Sequence, residues 1–262
     1  MPTSLFAASP AAAATAAAAA GDSRAVLTLL DEGTKIDERD GDGRTVLHHA
    51  AAAGHAHLVE TLLGRGAQFE TVDEGAWSPL HSAASAGRGE VVDVLVKAGA
   101  QLEKGAGSSG STPLVLGSSK GHQNVVRALL GGGANTLAVD SSGATSLHRA
   151  AGNGHVAILD MLISCHVSAT SGTVLLDKRD KAGHTAFHIA AIHQQEAACV
   201  ALAEAGVDLE TVNAEGIAPA SLLKPSLRSQ LGLTVEGVDE DEEDNTDWLG
   251  MNFPIPQPAR GA

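Results

Sequence analysis

TVLHHAAAAGH, residues 45–55, is the stretch that decides the fold, because the chain writes it again as SPLHSAASAGR at 78–88, TPLVLGSSKGH at 112–122, TSLHRAAGNGH at 145–155 and TAFHIAAIHQQ at 185–195. Its glycine keeps time over a longer span. Gly21, Gly54 and Gly87 are 33 residues apart, Gly121 follows after 34 and Gly154 after another 33. A fixed period of this length signals a stack of like units, each burying its apolar face on the next.

Each position of the frame has a physical reading. Thr45, Ser78, Thr112, Thr145 and Thr185 are hydroxyl residues suited to capping a helix start, and Pro79 and Pro113 follow where a missing N–H costs nothing. Leu47, Leu80, Leu114, Leu147 and Phe187 supply the inward anchor, and the Ala pairs after them keep the helix face flat enough for a neighbour to approach. The glycine then ends the helix in a left-handed turn. Beyond it, Leu58-Val59 with Leu62-Leu63, Val91-Val92 with Leu95, and Val125-Val126 with Leu129-Leu130 are spaced for one face of a second helix. Gly33, Gly66, Gly99, Gly133 and Gly206 close that helix, and Asp40, Asp73, Asp140, Asp180 and Asn213 mark a hairpin turn into the next unit.

This pattern resembles the ankyrin repeat, whose T-P-L-H-x-A and G-H elements are matched by His48, His81, His148 and His188 and by His55, His122 and His155. The resemblance implies an all-α ankyrin-repeat solenoid of about seven helix-turn-helix units with hairpin tips. It extends over residues 9–231, after an N-terminal extension at 1–8 and before an acidic tail at 232–262 that is expected to be disordered. The first unit, PAAAATAAAAAGDSRAVLTLLDEG, and the last, NAEGIAPASLL, are degenerate, as terminal units that face water must be. The Ala-rich start has no basic residue before Arg24, so it is read as a helix and not as a secretion signal.

Two departures stand out. In the fourth unit VLGSS replaces H-x-A-A and Gly107 stands where the turn Asp belongs, so the Gly/Ser-rich Lys104–Ser111 hairpin is expected to be mobile. Leu147 to Phe187 spans 40 residues, which puts an insertion of seven within Val167–Arg179, expected as a projecting surface loop.

Composition narrows the function. Seventeen basic against 31 acidic residues give a net charge of -14, the wrong sign for a nucleic-acid surface, and eight of the acids lie between Glu236 and Asp247. No apolar run reaches the ~20 residues of a membrane helix. Cys165 and Cys199 are too few for a disulfide scaffold and have no zinc spacing. No nucleophile elbow, phosphate loop or dinucleotide fingerprint is present. Seven of the twelve histidines fall on the two repeat positions where ankyrin histidines organise turns, so no metal, no cofactor and no catalytic residue is expected.

A protein-binding role remains, on the groove that ankyrin stacks present between their hairpin tips and first helices. The residues placed there are Asp40, Asp42 and Arg44 from the second unit, Asp73, Glu74, Trp77, Ser82 and Ser85 from the third, Lys120 from the fourth, and Arg149 and Asn153 from the fifth. Trp77 is read as an exposed anchor among mixed charges. Beyond the ankyrin consensus, DEGAWSPLHSAASAGRGEVV and ATSLHRAAGNGH resemble the gankyrin family of proteasome assembly chaperones. That resemblance implies a monomer that holds the C-terminal domain of a proteasome regulatory-particle AAA+ ATPase, with Asp42, Arg44, Glu74 and Lys120 at corresponding positions, in the cytoplasm and also the nucleus. The other reading is a signalling or transcriptional-regulation adaptor with no proteasome role, and a third gives the function to the acidic tail.

Overall fold

The computed structural model describes residues 9–169 and 175–233. The N-terminal extension and all but the first two residues of the acidic tail lie outside them. Helices come in pairs: α1 (Pro10–Ala20) with α2 (Ser23–Asp31), α3 (Val46–Ala53) with α4 (Ala56–Gly64), α5 (Pro79–Ser85) with α6 (Gly89–Lys97), α7 (Pro113–Ser119) with α8 (Gln123–Gly131), α9 (Ser146–Gly152) with α10 (Val156–Ala169), and α11 (Ala186–Ile192) with α12 (Glu196–Glu204). A 3-10 turn at Pro219–Leu222 and α13 (Pro225–Gln230) make the seventh, shortened pair. The odd-numbered helices α1 to α11 stack on one another in an inner row, and α4, α6, α8, α10 and α12 form the outer row. The core is a continuous seam between the rows, with Leu47, Leu80, Leu114, Leu147 and Phe187 each at most 2% exposed.

The frame residues hold this stack by a repeated hydrogen-bond device. The backbone N–H of Thr45 donates to His48 Nδ1 at 3.1 Å, and Ser78 with His81, Thr145 with His148 and Thr185 with His188 do the same at 3.2 Å. An Nδ1 that accepts leaves the ring proton on Nε2. That nitrogen donates into the next unit: to the carbonyl oxygens of Trp77, Lys104, His184 and Ile217, at 3.0, 2.7, 3.0 and 3.1 Å respectively. Each ring is therefore a neutral clamp between consecutive units.

The recurring glycine answers to two demands. At Gly121 the backbone is left-handed (φ 79°), and a Cβ there would lie 2.8 Å from the His155 ring of the following unit. His55 and His122 sit likewise against Gly21 and Gly87. From that position the Nε2 atoms of His55, His122 and His155 reach the carbonyls of Ala19, Ser85 and Ser119, each at 3.2 Å. Arg88 substitutes for the histidine in the third unit, with Nε 3.0 Å from the Ala52 carbonyl.

The hairpins are closed by their Asp or Asn. Asp73 Oδ1 accepts from the amides of Gly75 and Trp77, both at 2.9 Å, and Asp40, Asp140, Asp180 and Asn213 repeat the arrangement. Neighbouring tips are tied main chain to main chain: Glu74 N–H to Asp42 O, Gly107 N–H to Gly75 O, Ser141 N–H to Ser109 O, Lys181 N–H to Ser142 O and Ala214 N–H to Ala182 O, at 2.8–3.1 Å.

Two expectations need correction. The Lys104–Ser111 hairpin is tied down on both sides by that ladder and closed internally by paired Ala106 and Ser111 backbone bonds of 3.0 and 3.1 Å. Those bonds span one residue more than the Asp73 N–H to Trp77 O bond of the preceding hairpin, so the 34th residue of this repeat sits at a tip. The insertion before the sixth unit does not begin as a loop: its first residues continue α10, which has 14 residues where the other outer helices of full pairs have nine. Residues 170–174 lie outside the described residues, and Leu175 and Leu176 return to the core at 1% and 6% exposure.

Candidate partner-binding face

The hairpin tips and the outward sides of the inner helices form one face, and the structure sorts most of the eleven candidate residues on it into two groups, with Trp77 apart from both. Asp40, Arg44, Asp73 and Arg149 are engaged within the chain. Asp40 Oδ2 lies 2.7 Å from His49 Nε2, Arg44 Nε reaches across units to Asp73 Oδ2 at 3.1 Å, and Arg149 donates through Nε to Asp140 Oδ2 at 2.9 Å and through an amino group to Ser142 Oγ at 3.1 Å. Asp73 is buried to 8% exposure, so it organises its hairpin and steadies Arg44. Burial opposes ionisation of Asp40 and Asp140, but hydrogen bonds from His49 and from Ser142 and Arg149, with those of the turn amides, outweigh it and hold both carboxyls below their ordinary value.

The second group is open. The carboxylates of Asp42 and Glu74 are exposed, sit on neighbouring tips joined by the Glu74–Asp42 backbone bond, and have no hydrogen-bond or ion-pair partner among the described residues. Ser82 is half-buried on α5. Lys120, at the end of α7, is exposed and donates from Nζ to Ser85 Oγ at 2.7 Å. Asn153, at the end of α9, is exposed and bonded to the Arg149 carbonyl at 2.8 Å.

Trp77 departs from its expected role. It is half-buried, tilted 55° to the His81 ring at 6.3 Å between centroids, and its indole nitrogen would lie 3.2 Å from a Cβ built on Gly107. It is a wedge between the third and fourth tips; the Ala106 N–H to Ser111 O bond gives Ala106, not Gly107, the place that Asp73 holds in its own hairpin, and Gly107, bonded to Gly75 O as Glu74 is to Asp42 O, stays bare because a side chain there would meet the indole. Ala76 occupies the left-handed slot (φ 61°) that Gly43, Gly143, Gly183 and Gly216 fill in other hairpins.

Sequence reasoning did not place Lys178, Arg179 and Lys181 on this face, because the first two were assigned to an insertion loop. In the structure they enter the sixth hairpin, with the Arg179 guanidinium 3.0 Å from the Val212 carbonyl. The register Asp180-to-Thr185, equal to Asp140-to-Thr145, was the signal that could have found them.

Among the described residues no cluster of three or more His, Cys, Asp or Glu is arranged to hold a metal ion, and no helix is long and apolar enough to cross a membrane. Residues 14–106 and 102–172, more than half of the chain, match the family described as "Ankyrin repeats (3 copies)". The chain belongs to the ankyrin-repeat family. This ankyrin-repeat chain is similar to the mouse (Mus musculus) "B-cell lymphoma 3 protein homolog", 35% identical over 102 residues, which are 39% of this chain and 22% of that protein. It is similar also to mouse "Rabankyrin-5", 37% identical over 93 residues, 36% of this chain and 7% of that one. Both matches thus span a small part of the relatives' length. Among solved structures the human ASB11 ankyrin repeat domain superposes with a TM-score of 0.72 at 25% identity, covering 84% of this chain and 96% of that one. The ankyrin stack is a scaffold able to engage partner proteins.

Proposed function

We propose that this chain is a non-catalytic adaptor of signalling or transcriptional regulation that holds a partner protein against its hairpin tips and inner helices. The observation that carries the proposal is the division of labour on that face. Frame residues are consumed by clamps between units, whereas Asp42 and Glu74 stand side by side at the tips with their charges uncompensated. Two adjacent free carboxylates, flanked by an Arg44 already held by Asp73, fit a basic patch on a partner. Such rim charges set approach and selectivity more than affinity, being worth only about 0–1 kcal/mol each.

A narrower partner, the C-terminal domain of a proteasome AAA+ ATPase, is favoured by the wording of Asp73–Pro79 and Leu147–Ala151, and this second reading keeps the cytoplasm and nucleus as its setting. One experiment addresses both. The full chain and its Glu74→Lys, Lys120→Glu variant are used for affinity purification from cell extract. Neither residue makes an ion pair among the described residues, so the variant should stay folded by circular dichroism. Partners recovered by the wild type and lost by the variant support binding through this face. Proteasome ATPases among them select the narrower reading, and equal recovery by both proteins overturns the use of this face.

A further inference from the structure

His49, Ser82, Leu116, Arg149 and Ile189 hold the same place on five successive inner helices, and each is half-buried between two buried neighbours. They form a row along the groove side of the stack. Three residues further along each helix, Ala52, Ser85, Ser119 and Ile192 are half-buried as well, while Gly152 is buried. The row changes character along its length. In the second and third units it is small or polar, and His49 is taken up by Asp40 at 2.7 Å. From the fourth unit to the sixth it turns apolar. Leu116, Ile189 and Ile192 stand outside the core seam, and Arg149 between them has its guanidinium drawn off to Asp140 and Ser142. Gly152 tightens this stretch: a Cβ there would lie 2.8 Å from Ile189 Cγ2, so its absence lets Ile189 lean over the backbone of the fifth unit toward the fourth.

The unbalanced charge of the face lies at the other end, on Asp42 and Glu74. Arg44 beside them is taken by Asp73 at 3.1 Å, and Arg39 and Lys104 on the flanking chain make no ion pair among the described residues. Near Ile189 the signs are mixed, since Lys178, Arg179 and Lys181 stand among Asp208, Glu210 and Glu215 of the seventh unit. The face thus offers free acid at one end and unpartnered apolar side chains at the other. Its hairpin tips spend main-chain groups on one another, from Glu74 N–H to Asp42 O through Ala214 N–H to Ala182 O, so an added strand finds no continuous edge there. A helix, which satisfies its own backbone and presents side chains only, fits such a surface.

We propose that the segment held on this face is an amphipathic helix of the partner, its apolar stripe on Leu116, Ile189 and Ile192 and its basic end at the Asp42 and Glu74 tips. This rests on the adaptor reading and adds the chemistry and direction of what is held. Three unit steps separate Glu74 from Ile189, about 24–30 Å, or roughly 16–20 helical residues at about 1.5 Å each. Lys120, exposed where the two halves meet and bonded to Ser85 Oγ at 2.7 Å, repels basic residues from the middle of that helix.

The probe is a fluorescent Ala/Gln-based helical peptide of about 24 residues, with Leu at i, i+3, i+4 and i+7 at one end and three Lys at the other. At about 150 mM salt the full chain should bind it at least about tenfold more tightly than peptides in which the Leu or the Lys residues are replaced by Gln. In the wild-type chain the methyl NMR signals of Leu116, Ile189 and Ile192 should shift, and a nitroxide at the Lys end should broaden the amides of Asp42 and Glu74 while sparing Ile192. Ile189→Gln with Ile192→Gln, and separately Asp42→Asn with Glu74→Gln, should each weaken binding about tenfold. Unmoved methyls, broadening at Ile192 in place of Glu74, or no preference for the two-part peptide overturns the proposal. Binding that needs Asp42 and Glu74 but leaves the three methyls in place overturns the helix and keeps the adaptor face, whose own test remains the Glu74→Lys, Lys120→Glu purification.

Discussion

His48 Nε2 lies 3.0 Å from the carbonyl oxygen of Trp77, 29 residues further along, while its Nδ1 accepts from the Thr45 amide at 3.1 Å. One imidazole thus caps its own helix and latches the next unit, and the bond it accepts from the Thr45 amide requires the neutral ring. Burial pushes His48, His81, His148 and His188 below their ordinary value of 6.5.

The sign of the pH dependence follows. A histidine whose folded pKa is depressed binds protons more readily when unfolded, so its contribution is complete above about 6.5 and is lost as pH falls below it. Asp40 and Asp140, also depressed, add a second loss below their ordinary 3.8. Urea midpoints should hold steady between about pH 8 and pH 7 and fall toward pH 5. His148→Ala should destabilise by about 2–3 kcal/mol near neutral pH, by stranding the His184 carbonyl, and should flatten that slope. An unchanged slope would show that the clamp does not titrate.

Ser118 takes the place of the second Ala of the pair, and its hydroxyl is fully buried with no hydrogen-bond partner. Ser118→Ala should raise stability by about 1 kcal/mol by removing that unsatisfied group. Gly117→Ala, which looks like the same repair of the consensus, should not help: its Cβ would meet Val125 Cγ1 at 2.8 Å. Thermal melts of the two single variants decide the matter, and equal gains would contradict the packing described.

Trp77 and Gly107 should be coupled. Gly107→Asp puts a side chain on the residue that follows the turn position held by Ala106, and should cost about 1–3 kcal/mol, since Gly107 has a φ of 67° and the indole lies against it. In a Trp77→Ala background the penalty should shrink by about 1 kcal/mol. A double-mutant cycle with no interaction energy would sever the proposed link.

Much of this was legible because packing constrains it. The period, the caps, the inward Leu47 and Phe187 and the turn aspartates each follow from local geometry, and a local frame repeats visibly. What depends on neighbouring units was harder to read. Trp77 looked like an exposed anchor because the glycine that receives it lies 30 residues on. Arg44 looked like a partner contact because its carboxylate, Asp73, comes from the next hairpin, 29 residues on, whereas the Asp140–Arg149 pair repeats the nine-residue spacing of Asp40 and His49. The added residues before the sixth unit looked like a loop, although a helix can absorb residues by lengthening without disturbing the stack.

The bonds between successive hairpin tips run from main chain to main chain, so the tips hold their order whatever side chains they display. Substitution at Asp42, Glu74 or Ser109 changes what the row says without changing how it is bound together. A lineage of such proteins can exchange one partner for another by point changes at the tips while its histidine clamps stay fixed, and recognition is then free to evolve faster than architecture.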